Sequence, residues 1–169
     1  MHAGSNLAPG CAVTTTLANS FSRSLGILTN GVLDRAVASR SDTSRATAWA
    51  SRSANGVIEF AFPSSWGGPR TCDLSGIVVA WDGGWGAMTN SWSVETYAAP
   101  HRNAWATQYA WTTQYNTTTA PYEIDRTDSI ALNVKNVVKV RVSINGHTGD
   151  GVAISEIEIY GHATSVRPV

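Results

Sequence analysis

Apolar and polar residues alternate with period two along most of the chain. Cys11 to Leu17 alternates apolar residues with threonine, and Val57-Ile58-Glu59-Phe60-Ala61-Phe62 is a short apolar run halted by Pro63. Ile77-Val78-Val79-Ala80-Trp81 stops at Asp82-Gly83-Gly84. From Trp92 to Tyr97 the pattern puts Trp92, Val94 and Thr96 on one face and Ser93, Glu95 and Tyr97 on the other. Val138, Val140, Val142 and Ile144 share one side of the next segment. Ile154 to Tyr160 sets Ile157 and Ile159 opposite Glu156, Glu158 and Tyr160. Period two, β-branched residues and bounding Gly, Pro, Asn and Asp predict strands. Many such strands without amphipathic helices predict an all-β sandwich or jelly roll. The stretch from Arg35 to Ala54 holds no helical period and reads as a long loop.

A local repeat, Trp105-Ala-Thr-Gln-Tyr109-Ala followed by Trp111-Thr-Thr-Gln-Tyr115-Asn, gives its four aromatics the same parity. An extended segment would put all four on one face. That row is either a glycan platform or core packing against the other sheet, and packing is the preferred reading.

With 169 residues, the chain is long enough to bury a core without disulfides. It is 43% hydrophobic and only 14% charged, which excludes disorder by composition. Twelve basic residues balance twelve acidic ones, and only two of the basic residues are lysines, Lys135 and Lys139. Such a chain lacks the positive field that nucleic acid or an anionic membrane requires. No apolar run is long enough for a membrane-spanning helix, so no membrane insertion is expected. Residues 1–5 read as a tag or linker remnant and 163–169 as a tail or linker. The two cysteines, Cys11 and Cys72, are compatible with one disulfide or with two buried thiols. A composition rich in Ser, Thr, Asn, Gly and Trp tilts the choice towards a disulfide and an oxidising compartment.

Several segments, taken in order, resemble the discoidin family, which includes the coagulation-factor C-type domains and the family 32 carbohydrate-binding modules. The opening Asn6-Leu7-Ala8-Pro9-Gly10-Cys11-Ala12-Val13-Thr14 resembles its first strand. Leu28-Thr29-Asn30-Gly31 resembles its Leu-Thr-Asp-Gly turn, and Thr47-Ala48-Trp49 the Thr-x-Trp that follows. Ile58-Glu59-Phe60, Trp92-Ser93-Val94-Glu95 with Trp105, and Val138-Lys139-Val140-Arg141-Val142 resemble later strands. The closing Ser155-Glu156-Ile157-Glu158-Ile159-Tyr160-Gly161 is the most specific piece. The resemblance covers residues 6–162 and implies a discoidin-like (galactose-binding-like) β-sandwich jelly roll. Trp49, Trp81, Trp92 and Trp105 match or adjoin core positions of that fold.

The resemblance also implies a non-catalytic carbohydrate-binding module or lectin-like domain, secreted or at the cell surface, and a monomer within a larger multidomain protein. Alternatives are an adhesion domain for protein or phospholipid, and a glycan-active hydrolase or lyase. No motif places a histidine beside a nucleophile, and no Gly-x-Ser-x-Gly, His-Glu-x-x-His or phosphate loop occurs. A structural Ca2+ is implied between the Leu28–Gly31 turn, the following loop and the last strand. Leu28 would offer its carbonyl, and Asn30, Asp34, Thr47 and Glu156 their side-chain oxygens, as a hard cation requires. Asn30 stands where the family turn carries Asp. For the glycan, Trp85 in Gly-Gly-Trp-Gly is the leading stacking residue, with Asp82 and Asn90 in the same loop. His101, Arg102 and His147 are polar partners in other loops, and Trp66 is a secondary candidate. Unlike galactose-binding relatives, the loop from Asp82 to Asn90 has no arginine. Asn116-Thr117-Thr118 is a glycosylation sequon.

Overall fold

The computed structural model describes residues 1–18, 24–31, 48–53, 55–63, 70–82, 87–98, 109–121, 126–149 and 151–164, without the side chains of 87 and 88. Among them the strands are β1 (Ser5–Asn6), β2 (Ala12–Thr15), β3 (Trp49–Ser51), β4 (Gly56–Ala61), β5 (Thr71–Trp81), β6 (Ala87–Ala98), β7 (Ala110–Thr117), β8 (Thr127–Gly149) and β9 (Val152–Thr164). Two 3-10 turns, Ala8–Gly10 and Leu25–Thr29, lie between the early strands. All pairings are antiparallel.

The strands form a β-sandwich because β8 serves both layers. Its first half pairs with β5, from Thr127 opposite Ala80 to Val134 opposite Leu74, and Val137 still stands opposite Cys72. Its second half pairs with β4 and β6, from Val137 opposite Ala98 to Gly149 opposite Ala87. The reversal falls at Asn136, whose φ of 58° lies in the left-handed region that asparagine tolerates. The Asn136 N–H donates to Asp73 Oδ1 at 3.1 Å and ties the corner to β5. One layer therefore holds β1 and β3 on β9, then β5 and the first half of β8. The other holds β2, β4, the second half of β8, β6 and β7.

The alternating positions converge on the space between these layers. Ile58, Phe60, Ile77, Val79, Trp92, Val94, Val140, Val142, Ile157 and Ile159 are all fully buried. The alternation predicted for β4, β6, β8 and β9 is thus the alternation of the sandwich, and the discoidin-like jelly roll expected from sequence is the observed fold. Trp49, on a strand inside the segment expected to be loop, pairs opposite Ile154 and is also fully buried.

The aromatic repeat departs from expectation. Between Val94–Tyr115 and Glu95–Thr113 the register of β6 and β7 shifts, leaving Gln114 as the extra residue of a bulge. A bulge reverses parity, so Tyr115 packs inward on Trp92 (4.9 Å between ring centroids). Trp111 falls on the outer face with Tyr97, at 5.1 Å. The row is split between core and surface; Trp105 lies outside the described residues.

Cys11 and Cys72, the expected disulfide partners, carry free thiols in this structure. Cys11 Sγ donates to the Leu7 carbonyl at 3.4 Å, along the 3-10 turn, whereas Cys72 is buried in the core. Burial pushes the Cys11 thiol up to about 12 and the Cys72 thiol to about 11.

Candidate functional site

The register gives the sandwich two rims. At one, β5 ends at Trp81, β6 begins at Ala87, β8 begins at Thr127 and ends at Gly149, and β9 begins at Val152. At the other lie the ends of β4 and β6 and the starts of β5 and β7. Asp82, Asn90 and His147 stand at the first rim, and the segment containing Trp85 is flanked there by Asp82 and Ala87. Trp85, Trp66, His101 and Arg102 lie outside the described residues. The flanks of the His101–Arg102 segment, Ala98 and Tyr109, and of the Trp66 segment, Pro63 and Arg70, stand at the opposite rim. The strands thus bring three of the expected glycan residues to one rim and lead the other segments from the far one.

The first rim is built on a buried arginine that the sequence reading missed. Arg126 is 3% exposed and precedes β8 directly. Its Nε donates to Asp128 Oδ2 at 2.9 Å, and Nη1 donates to the carbonyls of Thr89 (3.0 Å) and Pro121 (2.8 Å). Asp128 Oδ2 also accepts from Trp81 Nε1 at 2.7 Å, and the guanidinium lies 5.0 Å from the Trp81 ring. Trp81 meets Trp92 edge-on, with centroids 5.2 Å apart. The i, i+2 spacing of Arg126 and Asp128 at the start of β8 was the available sequence signal, because an extended chain puts both side chains on one face.

This rim holds polar groups that the described residues leave unsatisfied. Thr89 pairs opposite His147 between β6 and β8. Buried and without a hydrogen-bond partner among the described residues are Thr89 Oγ1, Arg126 Nη2, Trp92 Nε1 and both ring nitrogens of His147. A buried polar group left unpaired costs about 1–3 kcal/mol, so several in one place call for ordered water or a ligand as partner. Together they supply N–H donors from arginine and imidazole and acceptors from imidazole and hydroxyl. A sugar hydroxyl, which both donates and accepts, matches that set. Asn90 sits at a register shift of β6, and its carbonyl accepts from Ala120 N–H at 2.9 Å. The Asp82 N–H donates to the Ala153 carbonyl at 2.9 Å, which anchors the start of the Trp85 segment.

A second polar feature lies under the Leu25–Thr29 turn. Glu156 is 1% exposed; its Oε1 accepts from Gly31 N–H at 3.2 Å, while Oε2 is buried with no partner among the described residues. Desolvation raises its carboxyl to about 7, with Gly31 opposing and Glu158 adding to the rise. Gly31 has φ of 75°, so the turn that delivers this N–H suits glycine. The register shift between Ala80–Glu156 and Trp81–Ile154 lets Ile154 face the core while Glu156 faces this turn. Leu28 is fully buried beside it, and Asn30 follows; Asp34 and Thr47 lie outside the described residues. Among the described residues no three His, Cys, Asp or Glu side chains gather around one point. An orphaned carboxylate oxygen beside the peptide groups of a turn nevertheless fits a hard cation, for which carbonyls are ordinary ligands.

No family model matches the chain. No curated protein matches it either. Solved structures do. Chitosan-binding module 1 of a chitosanase/glucanase from Paenibacillus sp. IK-5 superposes with a TM-score of 0.64 at 20% identity, covering 93% of this chain and 99% of that one. Module 2 of the same enzyme, solved with chitotriose, gives 0.63 at 22%, covering 92% and 100%. The family 32 carbohydrate-binding module of C. perfringens NanJ, in complex with galactose, gives 0.60 at 8%, covering 92% and 97%. The chain has their fold. At these identities it is the discoidin-like architecture that is shared, and the argument about ligands rests on the chain's own residues.

Proposed function

We propose that this domain is a non-catalytic carbohydrate-binding module, secreted or displayed at the cell surface, that holds a glycan at the rim built by Arg126, Thr89 and His147. The observation that carries the reading is the set of unsatisfied donors and acceptors gathered there beside two indoles. Asp82, Asn90 and Trp85 belong to the same proposal, with Trp85 as the stacking ring. The structural neighbours solved with chitotriose and with galactose support it. Absence of chemistry is part of the proposal: Glu59, Glu95 and Asp128 are each engaged with a cation, at 2.8, 2.6 and 2.9 Å.

Calcium completes the proposal as a structural tie. Glu156, the Leu28 carbonyl and Asn30, with Asp34 and Thr47, would hold it and join β9 to the turn; the ion supplies charge balance for Glu156 and no chemistry. The glycan reading is tested by titrating the domain with chitotriose and with galactose in a calorimeter, followed by a glycan array. Dissociation constants in the micromolar to millimolar range are expected, about 4 to 8 kcal/mol. His147→Ala should weaken binding about tenfold, or about 1.4 kcal/mol, without lowering the melting temperature. Failure of the wild-type domain to bind any glycan on the array would overturn the reading.

A further inference from the structure

The outer face of the β7–β6–β8–β4 layer is not simply a solvated surface. Alternation assigns it polar residues, yet it carries Tyr97 and Trp111, opposite each other on β6 and β7, with Tyr109 just before β7. Tyr97 stacks on Tyr109 (centroids 5.5 Å, planes 26° apart) and meets Trp111 at 5.1 Å. Each ring is only partly buried. The Arg141 guanidinium lies 4.1 Å from the Trp111 ring and is gripped by both Glu95 oxygens, at 2.6 and 2.9 Å. Lys139 beside it is paired with Glu59 at 2.8 Å.

We propose that this aromatic patch is a second carbohydrate-binding surface, a platform for an extended, uncharged polysaccharide chain. Charge selects the ligand: Arg141 and Lys139 are each matched by a carboxylate of the same face. Among the described residues the patch therefore offers no net field to an anionic lipid surface or to a protonated amino sugar. It offers three partly exposed aromatic rings in mutual contact, with planar hydrogen-bonding groups alongside. Aromatic rings present large apolar area at little entropic cost, and the C–H faces of a pyranose match it. The Gln114 bulge keeps Tyr115 in the core while Trp111 stays outside, and Gln114 Nε2 anchors that bulge by donating to Thr96 Oγ1 at 3.0 Å. The patch lies towards the rim opposite Arg126 and His147, so it is distinct from the first site and stands on its own observation. A chain bound at both would be held by avidity.

The test is adsorption to insoluble chitin, an uncharged polymer, measured by depletion isotherms beside calorimetry with chitotriose. Trp111→Ala is expected to weaken chitin adsorption about tenfold and to leave chitotriose affinity at wild-type strength. Unchanged adsorption would overturn the platform. So would a wild-type dimer that Trp111→Ala converts to monomer, since the patch would then be an interface between copies. If Trp111→Ala does not fold, Tyr109→Ala, outside the regular strand, takes its place with the same expected outcomes. In the wild-type protein the Trp111 indole N–H resonance should shift on addition of chitohexaose, and a stationary resonance would count against the patch. Failure of the rim reading has a different signature: no chitotriose binding in the wild type, with chitin adsorption still sensitive to Trp111.

Discussion

Two clusters in this molecule use the same parts, an arginine, a carboxylate and a tryptophan, and do opposite things with them. On the outer sheet face, Arg141 rests on Trp111 and is held by Glu95, whose other neighbour Ser143 donates at 3.0 Å. At the rim, Arg126 lies by Trp81 and is held by Asp128, but it is 3% exposed, against 28% for Arg141. Water can satisfy whatever hydrogen-bonding capacity the outer cluster leaves over. Bulk water does not reach Arg126 Nη2 or the His147 ring nitrogens, which are buried atoms without a partner among the described residues. The difference teaches that burial, not residue type, turns a polar cluster into a place that needs a ligand.

The contrast breaks most visibly on removing the two arginines. Arg126→Ala would leave Asp128 with half its partners and strip the Thr89 and Pro121 carbonyls of their donor. A loss of about 3–5 kcal/mol in urea unfolding is expected. A loss below 1 kcal/mol would mean that the rim is open to water. Arg141→Ala should cost no more than about 1 kcal/mol, because the pair is partly exposed. Arg141 holds the Glu95 carboxyl below its usual range. The contribution of this pair is therefore present above the unfolded carboxylate pKa and is lost as pH falls through the depressed folded value.

Between these two in size lies Glu156, which sharpens the comparison because it is buried without any cation among the described residues. Its folded pKa, about 7, exceeds the ordinary carboxylate value of 4.5, so the folded state binds the proton more tightly than the unfolded state. In calcium-free buffer, the contribution of Glu156 to stability should therefore be greatest below pH 4.5, fall as pH rises to about 7, and stay level beyond. Glu156→Gln should remove that slope and, at pH 8 without calcium, stabilise by about 1–3 kcal/mol. Added calcium should stabilise the wild type at pH 8 and leave the variant unmoved. Melting curves with and without chelator measure both effects, and a flat pH profile would show that Glu156 is solvated.

What was legible in the sequence was whatever a local period encodes. Val140, Val142 and Ile144, or Ile157 and Ile159, face the core because a strand's side chains alternate, and nothing distant is needed to say so. The resemblance of the Leu28–Gly31 turn and of Glu156 to one family likewise pointed to two segments that the fold brings within hydrogen-bonding distance. The aromatic repeat defeated the same logic, since one bulge residue, Gln114, reverses the parity and shows itself only through its pairing with β6.

Sequence by itself therefore determined the fold class and the alternating core, and it placed Asp82 and Asn90 in one loop with Trp85 but His147 in another. Only the tertiary structure decided that β8 turns at Asn136 to serve both layers, that Arg126 is the buried centre of that rim, and that Trp111 and Tyr115 part company. The physical reason is one of range. Alternation is a property of neighbours along the chain, whereas burial of a charge and register across strands depend on residues far away in sequence. Thr89 and Arg126 are 37 positions apart, and Gly31 and Glu156 are 125.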